Sequence, residues 1–313
     1  MSNALVTGGA GFIGSHLVRG LLARGDRVRV LDNLSSGDRR NLDGLDVEFV
    51  EGDIRDRATV SRALQGVETV FHLAAMISVP ESMADPRTCY DVNVIGSLNV
   101  LWGAHQAGVR RVVLSSSCAI YGDVAGPADE QAPVRPLSPY AASKLAMEEA
   151  GRLFTNAYGL PTVSLRYFNV YGPRQSPASP YAAVIPLFIQ AMLSGQAPTI
   201  NGDGRQTRDF VFVDDVVRAN LLAAEREGAA GGVFNVSGGR SVSILELTSS
   251  LQEIIPNAPA PGFGPPRSGD VRFSAAVLSQ AERALGYRPV VGLKDGLKGT
   301  VEWFRAAGSP NTR

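Results

Sequence analysis

Short apolar runs recur through the first half of the chain, at intervals that mostly leave room for a helix. Residues 4–7, 28–31, 47–50, 69–73, 111–114 and 162–165 are rich in β-branched and aliphatic side chains, which reads as a set of buried strands. Strands alternating with helix-sized segments predict a parallel sheet covered on both faces, a doubly wound α/β fold. The rhythm breaks after Tyr171. Gly172-Pro173, Ser176-Pro177 and Ser179-Pro180 interrupt it, and residues 256–266 are rich in proline and glycine, so a smaller and looser C-terminal portion is expected.

The first strand runs into Thr7-Gly8-Gly9-Ala10-Gly11-Phe12-Ile13-Gly14, followed by helix-like residues 15–23. This G-x-x-G-x-x-G spacing puts glycine where a backbone turns tightly and approaches a pyrophosphate ahead of a helix N-terminus. Such a turn alone is weak evidence. Asp32 strengthens it, because it ends the second strand about twenty residues further on, where a carboxylate accepts hydrogen bonds from an adenosine ribose. A carboxylate there repels a 2′-phosphate, so NAD is expected rather than NADP. Asp53, in Gly52-Asp53-Ile54 beyond the third strand, stands either to reach the adenine amine or to cap a helix before Arg55.

Ser115-Ser116-Ser117-Cys118-Ala119-Ile120-Tyr121-Gly122 follows the run ending at Leu114 and sets hydroxyls at the carboxyl edge of the sheet, where ligands of parallel sheets bind. Tyr140 and Lys144 stand four residues apart, on one face of a helix, where an ammonium can stabilise a phenolate. A free tyrosine titrates near pH 10, so a base active near neutrality needs a shift of roughly three units, about 4 kcal/mol. Lys144 and a positive nicotinamide ring are the expected sources. An isolated Y-x-x-x-K is otherwise a surface helix pair, and the glycine turn and serines are what make it a candidate proton-transfer centre.

Composition narrows the partners. Thirty basic and thirty acidic residues cancel, which offers no footprint for nucleic acid or a membrane surface. An anionic ligand must be held locally. Cys89 and Cys118 are the two cysteines, too few for a disulfide scaffold or a zinc site, and no metal is expected. No apolar run is long enough to span a bilayer, and a cytoplasmic protein is expected.

Taken together, the glycine turn, Asp32-Asn33, His72-Leu73-Ala74-Ala75, Asn93, the serine run, Tyr140/Lys144 and Arg166-Tyr167-Phe168-Asn169 resemble the extended short-chain dehydrogenase/reductase superfamily over nearly the whole chain. The chain is most similar to its nucleotide-sugar epimerases, especially those of UDP-N-acetylhexosamines, through Tyr181-Ala182-Ala183-Val184-Ile185-Pro186, Ile200-Asn201-Gly202-Asp203-Gly204, Thr207-Arg208-Asp209-Phe210 and Gly269-Asp270-Val271-Arg272. The resemblance implies a Rossmann domain, residues 1–168 plus about 209–240, and a nucleotide-sugar domain, about 169–208 plus 241–313. It implies NAD contacts at Gly8, Gly11, Phe12, Ile13, Gly14, Asp32, Asn33, Asp53, Ile54, Leu73, Ala74, Ala75, Asn93, Tyr140, Lys144 and Tyr167. For a UDP-sugar it implies Ser78, Ser117, Asn169, Ala183, Val184, Asn201, Arg208, Arg267, Asp270 and Ser274, with the two arginines clamping the diphosphate. Residues 92–107 and 141–158 resemble the paired helices of a four-helix homodimer, and alone could equally be covering helices of the sheet.

In the mechanism so implied, Tyr140 takes the 4-hydroxyl proton, C4 gives a hydride to NAD, and Ser117 bonds the reacting oxygen. The 4-keto sugar then either regains hydride on its other face, a C4 epimerisation, or loses water, a dehydration. Family dehydratases that make 4-keto-6-deoxy sugars carry Thr-Asp-Glu where this chain has Ser117-Cys118-Ala119, which favours epimerisation. A UDP-N-acetylglucosamine 5,6-dehydratase stays as the alternative, with the Cys118 thiol, ordinarily near pKa 8.5, as its acid. A non-catalytic NAD sensor is the third reading. Ser274 falls where the family places a bulky tyrosine in enzymes restricted to glucose and galactose, so its small side chain points to N-acetyl sugars.

Overall fold

A computed structural model describes residues 2–124, 126–177, 183–266 and 271–308. Its strands are β1 (Asn3–Thr7), β2 (Arg27–Asp32), β3 (Glu48–Glu51), β4 (Thr69–His72), β5 (Arg111–Ser117), β6 (Thr162–Tyr167), β7 (Asn169–Tyr171), β8 (Thr199–Asn201), β9 (Thr207–Phe212), β10 (Val233–Val236), β11 (Ser241–Ser243) and β12 (Gly262–Gly264). Seven of them form one parallel sheet in the order β10-β6-β5-β4-β1-β2-β3.

Side chains alternate across this sheet as the pleat requires. Ala4, Val6, Val28, Val30, Val113 and Val163 face helices Phe12–Ala23 and Val213–Glu225, where Leu17, Val18, Leu21, Val216 and Ala219 complete one core. Leu5, Leu31, Val70, Val112 and Leu114 face the opposite way, against Val60 and Ala63, Leu101 and Ala104, and Met147 and Phe154 from helices Arg57–Ala63, Ser97–Gln106 and Pro139–Tyr158. Burial on both faces explains why the inner runs, those of β1, β4 and β5, are so apolar, whereas the edge strand β3 carries exposed Glu48 and Glu51. Strand order reverses between β1 and β4, which opens a crevice at their carboxyl ends.

The expected doubly wound architecture is present, with two differences in detail. Strand β10 extends the sheet beyond β6, although no strand was expected there. It is only four residues long and contains a buried Asn235, which breaks the apolar signal. The serines also do not follow β5 but complete it, because Ser115, Ser116 and Ser117 pair with Leu165, Arg166 and Tyr167 of β6.

The C-terminal portion is smaller and mixed. It contains the three-stranded sheet β11-β9-β7 and the β12-β8 pair. Helices Val184–Leu193, Ile244–Ile254 and Leu293–Gly308 pack there around Ile189, Ile200, Leu247, Leu251, Leu297 and Val301. Among the described residues no helix is long and apolar enough to cross a membrane.

Candidate active site

The glycine turn lies in the crevice at the end of β1. Gly8 has φ +70°, and a Cβ there would come 2.7 Å from the Ala74 nitrogen; a Cβ at Gly14 would overlap the Gly8 carbonyl oxygen and come 2.8 Å from the Gly9 Cα. The turn and the start of the helix are thus closed up as only glycine permits. Gly11 caps helix Phe12–Ala23 without a side-chain hydrogen bond, which leaves the N–H groups around Phe12 and Ile13 and the positive helix end to an anion. Both features fit the pyrophosphate of a dinucleotide.

Asp32 is buried and accepts from Ala10 N and Leu34 N, each at 2.9 Å, fastening the turn to the end of β2. Asn33 donates to Asp53 at 2.9 Å. Asp53 does not cap the following helix, a task done by Asp56; it pairs with Arg55, whose hydrogen bonds hold its carboxyl down at about 2. Ile54 is buried beneath it, against Gly96.

The segment after β4 is pinned at both ends. Thr7 Oγ1 accepts from Leu73 N and Ala74 N, both at 3.2 Å. It meets His72 Nδ1 at 2.7 Å, while His72 Nε2 meets Ser97 Oγ at 2.8 Å. Ser97 donates to the Asn93 carbonyl at 2.6 Å. The Asn93 side chain accepts from Met76 N at 2.8 Å and donates to the Met76 carbonyl at 3.0 Å and to Ser143 Oγ at 2.9 Å. Leu73, Ala74 and Ala75 are therefore stretched between the glycine turn and the helix that carries Tyr140. Asn93 sits in a π-helical turn, Asp91–Gly96, where a plain helix was expected, and its side chain is held there by Met76 and Ser143, which are distant in sequence.

Helix Pro139–Tyr158 starts with Ser138 as N-cap and proline in its first turn. Tyr140 N donates to Ser82 Oγ at 3.1 Å, within helix Val79–Ala84, which Ser78 caps. Tyr140 and Lys144 share a face, and the Ser117 side chain at the end of β5 lies toward the phenol. The electrostatics differ from expectation. Burial pushes the Tyr140 phenol up to about 12, with Ser117 opposing. Lys144 is 3% exposed and donates to the Ser115 carbonyl at 2.7 Å and more weakly to its hydroxyl at 3.4 Å, and burial lowers its own pKa to about 8. A buried ammonium takes the nearest acceptor, so the chain's own groups do not bring the phenol toward neutrality.

Cys118 begins a turn, Cys118–Tyr121, beside Arg208, Asp209 and Ser274, and burial pushes its thiol from its ordinary range up to about 12. The Tyr167 hydroxyl donates to Asn220 at 3.0 Å in helix Val213–Glu225, which leaves its backbone, opposite Ser117, nearest the crevice.

Across from this corner lies a cleft of about 400 Å³ that brings together Asn169, Ala183, Val184, Asn201 and Arg208, with Gln206 and Phe210. Asn169 Nδ2 donates to the Asp209 carbonyl at 3.1 Å and faces Ser274 Oγ at 3.4 Å. Gln206 was not singled out from the sequence, where nothing distinguishes it from an ordinary loop residue, and Phe210 was quoted only as the last residue of Thr207-Arg208-Asp209-Phe210, with no role of its own. Arg267 and Asp270 lie outside the described residues. A second cleft, of about 440 Å³, lies among Asn3, Asp26, Arg27 and Glu48 at the amino edge of the sheet, the edge away from the glycine turn.

A doubly wound sheet, a glycine turn at its switch point, and a serine, tyrosine and lysine at the adjacent strand end define an extended short-chain dehydrogenase/reductase. The NAD dependent epimerase/dehydratase family matches residues 4–237, and the chain belongs to it; its cofactor is NAD. The UDP-glucose 4-epimerase of Mycolicibacterium smegmatis is 44% identical over 310 residues, covering 96% of this chain and 98% of that one. The solved UDP-glucose 4-epimerase of Thermotoga maritima with UDP-glucose superimposes with TM-score 0.94 at 44% identity, over 98% and 100% of the two chains. The UDP-N-acetylglucosamine 4-epimerase of Methanobrevibacter ruminantium, in complex with UDP-N-acetylmuramic acid, does so with TM-score 0.93 at 39% identity, over 97% and 98%.

Proposed function

We propose that the protein reversibly inverts C4 of a UDP-hexose and prefers UDP-N-acetylhexosamines. One observation carries the reading: Ser117, Tyr140 and Lys144 converge beside the dinucleotide turn, while the carboxylates next to them are already engaged. Glu148 is paired with Arg166, and Asp209 accepts from Gly238 N and Ala276 N. One group is thus free to move a proton at the substrate, which suffices for oxidation and reduction at C4.

When bound, NAD supplies the acceptor and donor of the C4 hydride and a positive ring charge near the phenol. Tyr140 takes the proton of the 4-hydroxyl and returns it after the sugar has turned. Ser117 bonds the reacting oxygen in both states. Lys144 keeps a positive charge beside this corner, anchored to β5. The cleft residues Asn169, Asn201 and Arg208 hold the UDP portion, which leaves the hexose between them and Tyr140.

Elimination of water asks for a second acid. A thiol at about 12 is a poor one, and that disfavours the dehydratase reading. Small Ser274, which faces Asn169 of the cleft, supports room for an N-acetyl group at C2. The exposed apolar side chains Ile95, Leu98, Leu153 and Tyr158 on the helices over this face of the sheet support a homodimer through them.

Purified protein incubated with UDP-GlcNAc and with UDP-glucose, followed by NMR and mass spectrometry, tests the proposal. Unchanged mass with altered H4 coupling, and no accumulation of NADH, is expected, with UDP-GlcNAc the better substrate. Loss of water would establish the dehydratase instead, and retained NAD without turnover would establish a sensor.

A further inference from the structure

A buried chain of polar side chains joins the helix of Tyr140 and Lys144 to the segment of Ser274 beside the sugar cleft. It starts at Glu148, one turn beyond Lys144 and 1% exposed. Arg166 donates Nε and Nη2 to the two carboxylate oxygens at 2.9 and 2.8 Å, and Ser116 donates to the first of them. Arg166 Nη1 donates to the Tyr121 hydroxyl at 2.9 Å. That hydroxyl donates to Asn235 Oδ1 at 2.7 Å. Asn235, at 0% exposed, gives its amide protons to the carbonyls of Ala128 at 3.0 Å and Val277 at 3.4 Å.

Two backbone bonds of 2.9 Å then clip Ala128 to Ala275 and Val277, immediately after Ser274. The Ser274 carbonyl accepts from Ser241 at 2.7 Å. Its hydroxyl faces Asn169 of the cleft and Cys118 of the catalytic turn, so Ser274 stands where the two meet.

Arginine only donates and a backbone carbonyl only accepts, so every proton between them has one place. The Asn235 amide can sit in one orientation alone, and breaking any link leaves a buried polar group unpaired. The chain therefore behaves as a strut of fixed length between Glu148, on the helix of the base, and the segment of Ser274.

We infer that Tyr121 and Asn235 are positioning residues that set the width of the hexose pocket between Tyr140 and Ser274, and so tune which substituent at sugar C2 is accepted. The inference rests on the UDP-hexose reading above. It is tested in the full-length protein by Tyr121→Phe, which removes one oxygen, and by Ser241→Ala, which lies outside the strut but releases the Ser274 carbonyl. The ratio of kcat/KM for UDP-GlcNAc to that for UDP-glucose is expected to move by at least about threefold in both variants, the energy of one lost hydrogen bond. The change is expected in KM, with kcat on the better substrate within about twofold of wild type and NAD retained. Equal losses on both substrates, or an unmoved ratio, would overturn the inference. Should Tyr121→Phe fail to fold, Asn235→Asp, which keeps an acceptor for Tyr121 and removes the amide donors to Ala128 and Val277, is read by the same ratio. Wild-type protein that turns over neither nucleotide sugar would overturn the UDP-hexose reading instead.

Discussion

Lys144, one turn of helix from Tyr140, donates its ammonium to the Ser115 carbonyl at 2.7 Å. The lysine is therefore fixed by strand β5, and burial, opposed by Ser117, governs the phenol. Tyr140 itself, pushed up to about 12 by burial, holds its proton until substrate and cofactor complete the site.

Removing the phenolic oxygen should remove the proton transfer and little else. For Tyr140→Phe, kcat is expected to fall by about 10²–10⁴, with KM and bound NAD close to wild type. Steady-state kinetics and the cofactor content of the purified variant measure this.

Lys144 should set the alkaline limb of activity. Its pKa is lowered to about 8 by burial, so the ammonium is present below that pH and lost as pH rises through it. A plot of kcat against pH is expected to decline near 8 in the wild type, and Lys144→Met is expected to be slow throughout and to lack that limb.

His72 should make the protein acid-sensitive. Burial lowers it to about 3 from 6.5, so the unfolded chain binds a proton over this range that the native protein refuses. Its contribution is present above pH 6.5 and is lost as pH falls toward 3, by about 5 kcal/mol in all. Urea unfolding across this window is expected to show a steeper loss in the wild type than in His72→Gln.

Gly14→Ala places a methyl group against the Gly8 carbonyl. Either the helix start or the turn must yield, and NAD affinity is expected to fall by at least about tenfold. Calorimetric titration of NAD into cofactor-stripped protein measures it; unchanged affinity would count against this turn as the pyrophosphate site.

Cys118 should be chemically quiet. With its thiol at about 12, alkylation at pH 8 is expected to be slower than for a free cysteine by a factor on the order of 10³. Cys118→Ser is expected to keep activity within about threefold. Abolished turnover would instead reveal a catalytic thiol.

The glycine turn, Asp32, the serines and the Tyr140/Lys144 pair were legible because each is a local requirement. A tight turn demands glycine, a strand end presents the next side chain, and a four-residue spacing lies along one helix face. Periodicity likewise revealed six of the seven sheet strands, because burial keeps the inner runs apolar and the edge strand β3 still carries Phe49 and Val50 between its exposed glutamates. Strand β10 escaped this, for Asn235 spends a core position on a polar group whose partners come from 114 and 107 residues away.

The same distinction separates spacing from electrostatics at the site. Four residues between Tyr140 and Lys144 dictate a shared helix face, and no tertiary contact is needed to know it. Where the ammonium points, and that burial raises the phenol instead of lowering it, depends on Ser115 and on the solvent excluded by packed layers. Hydrogen-bond partners such as Glu148 with Arg166, or Thr7 with His72, are 18 and 65 residues apart in the chain. Local sequence determined which groups are offered to the crevice, whereas folding alone decided their partners and charge, because desolvation and hydrogen bonding act between atoms that only the tertiary structure brings together.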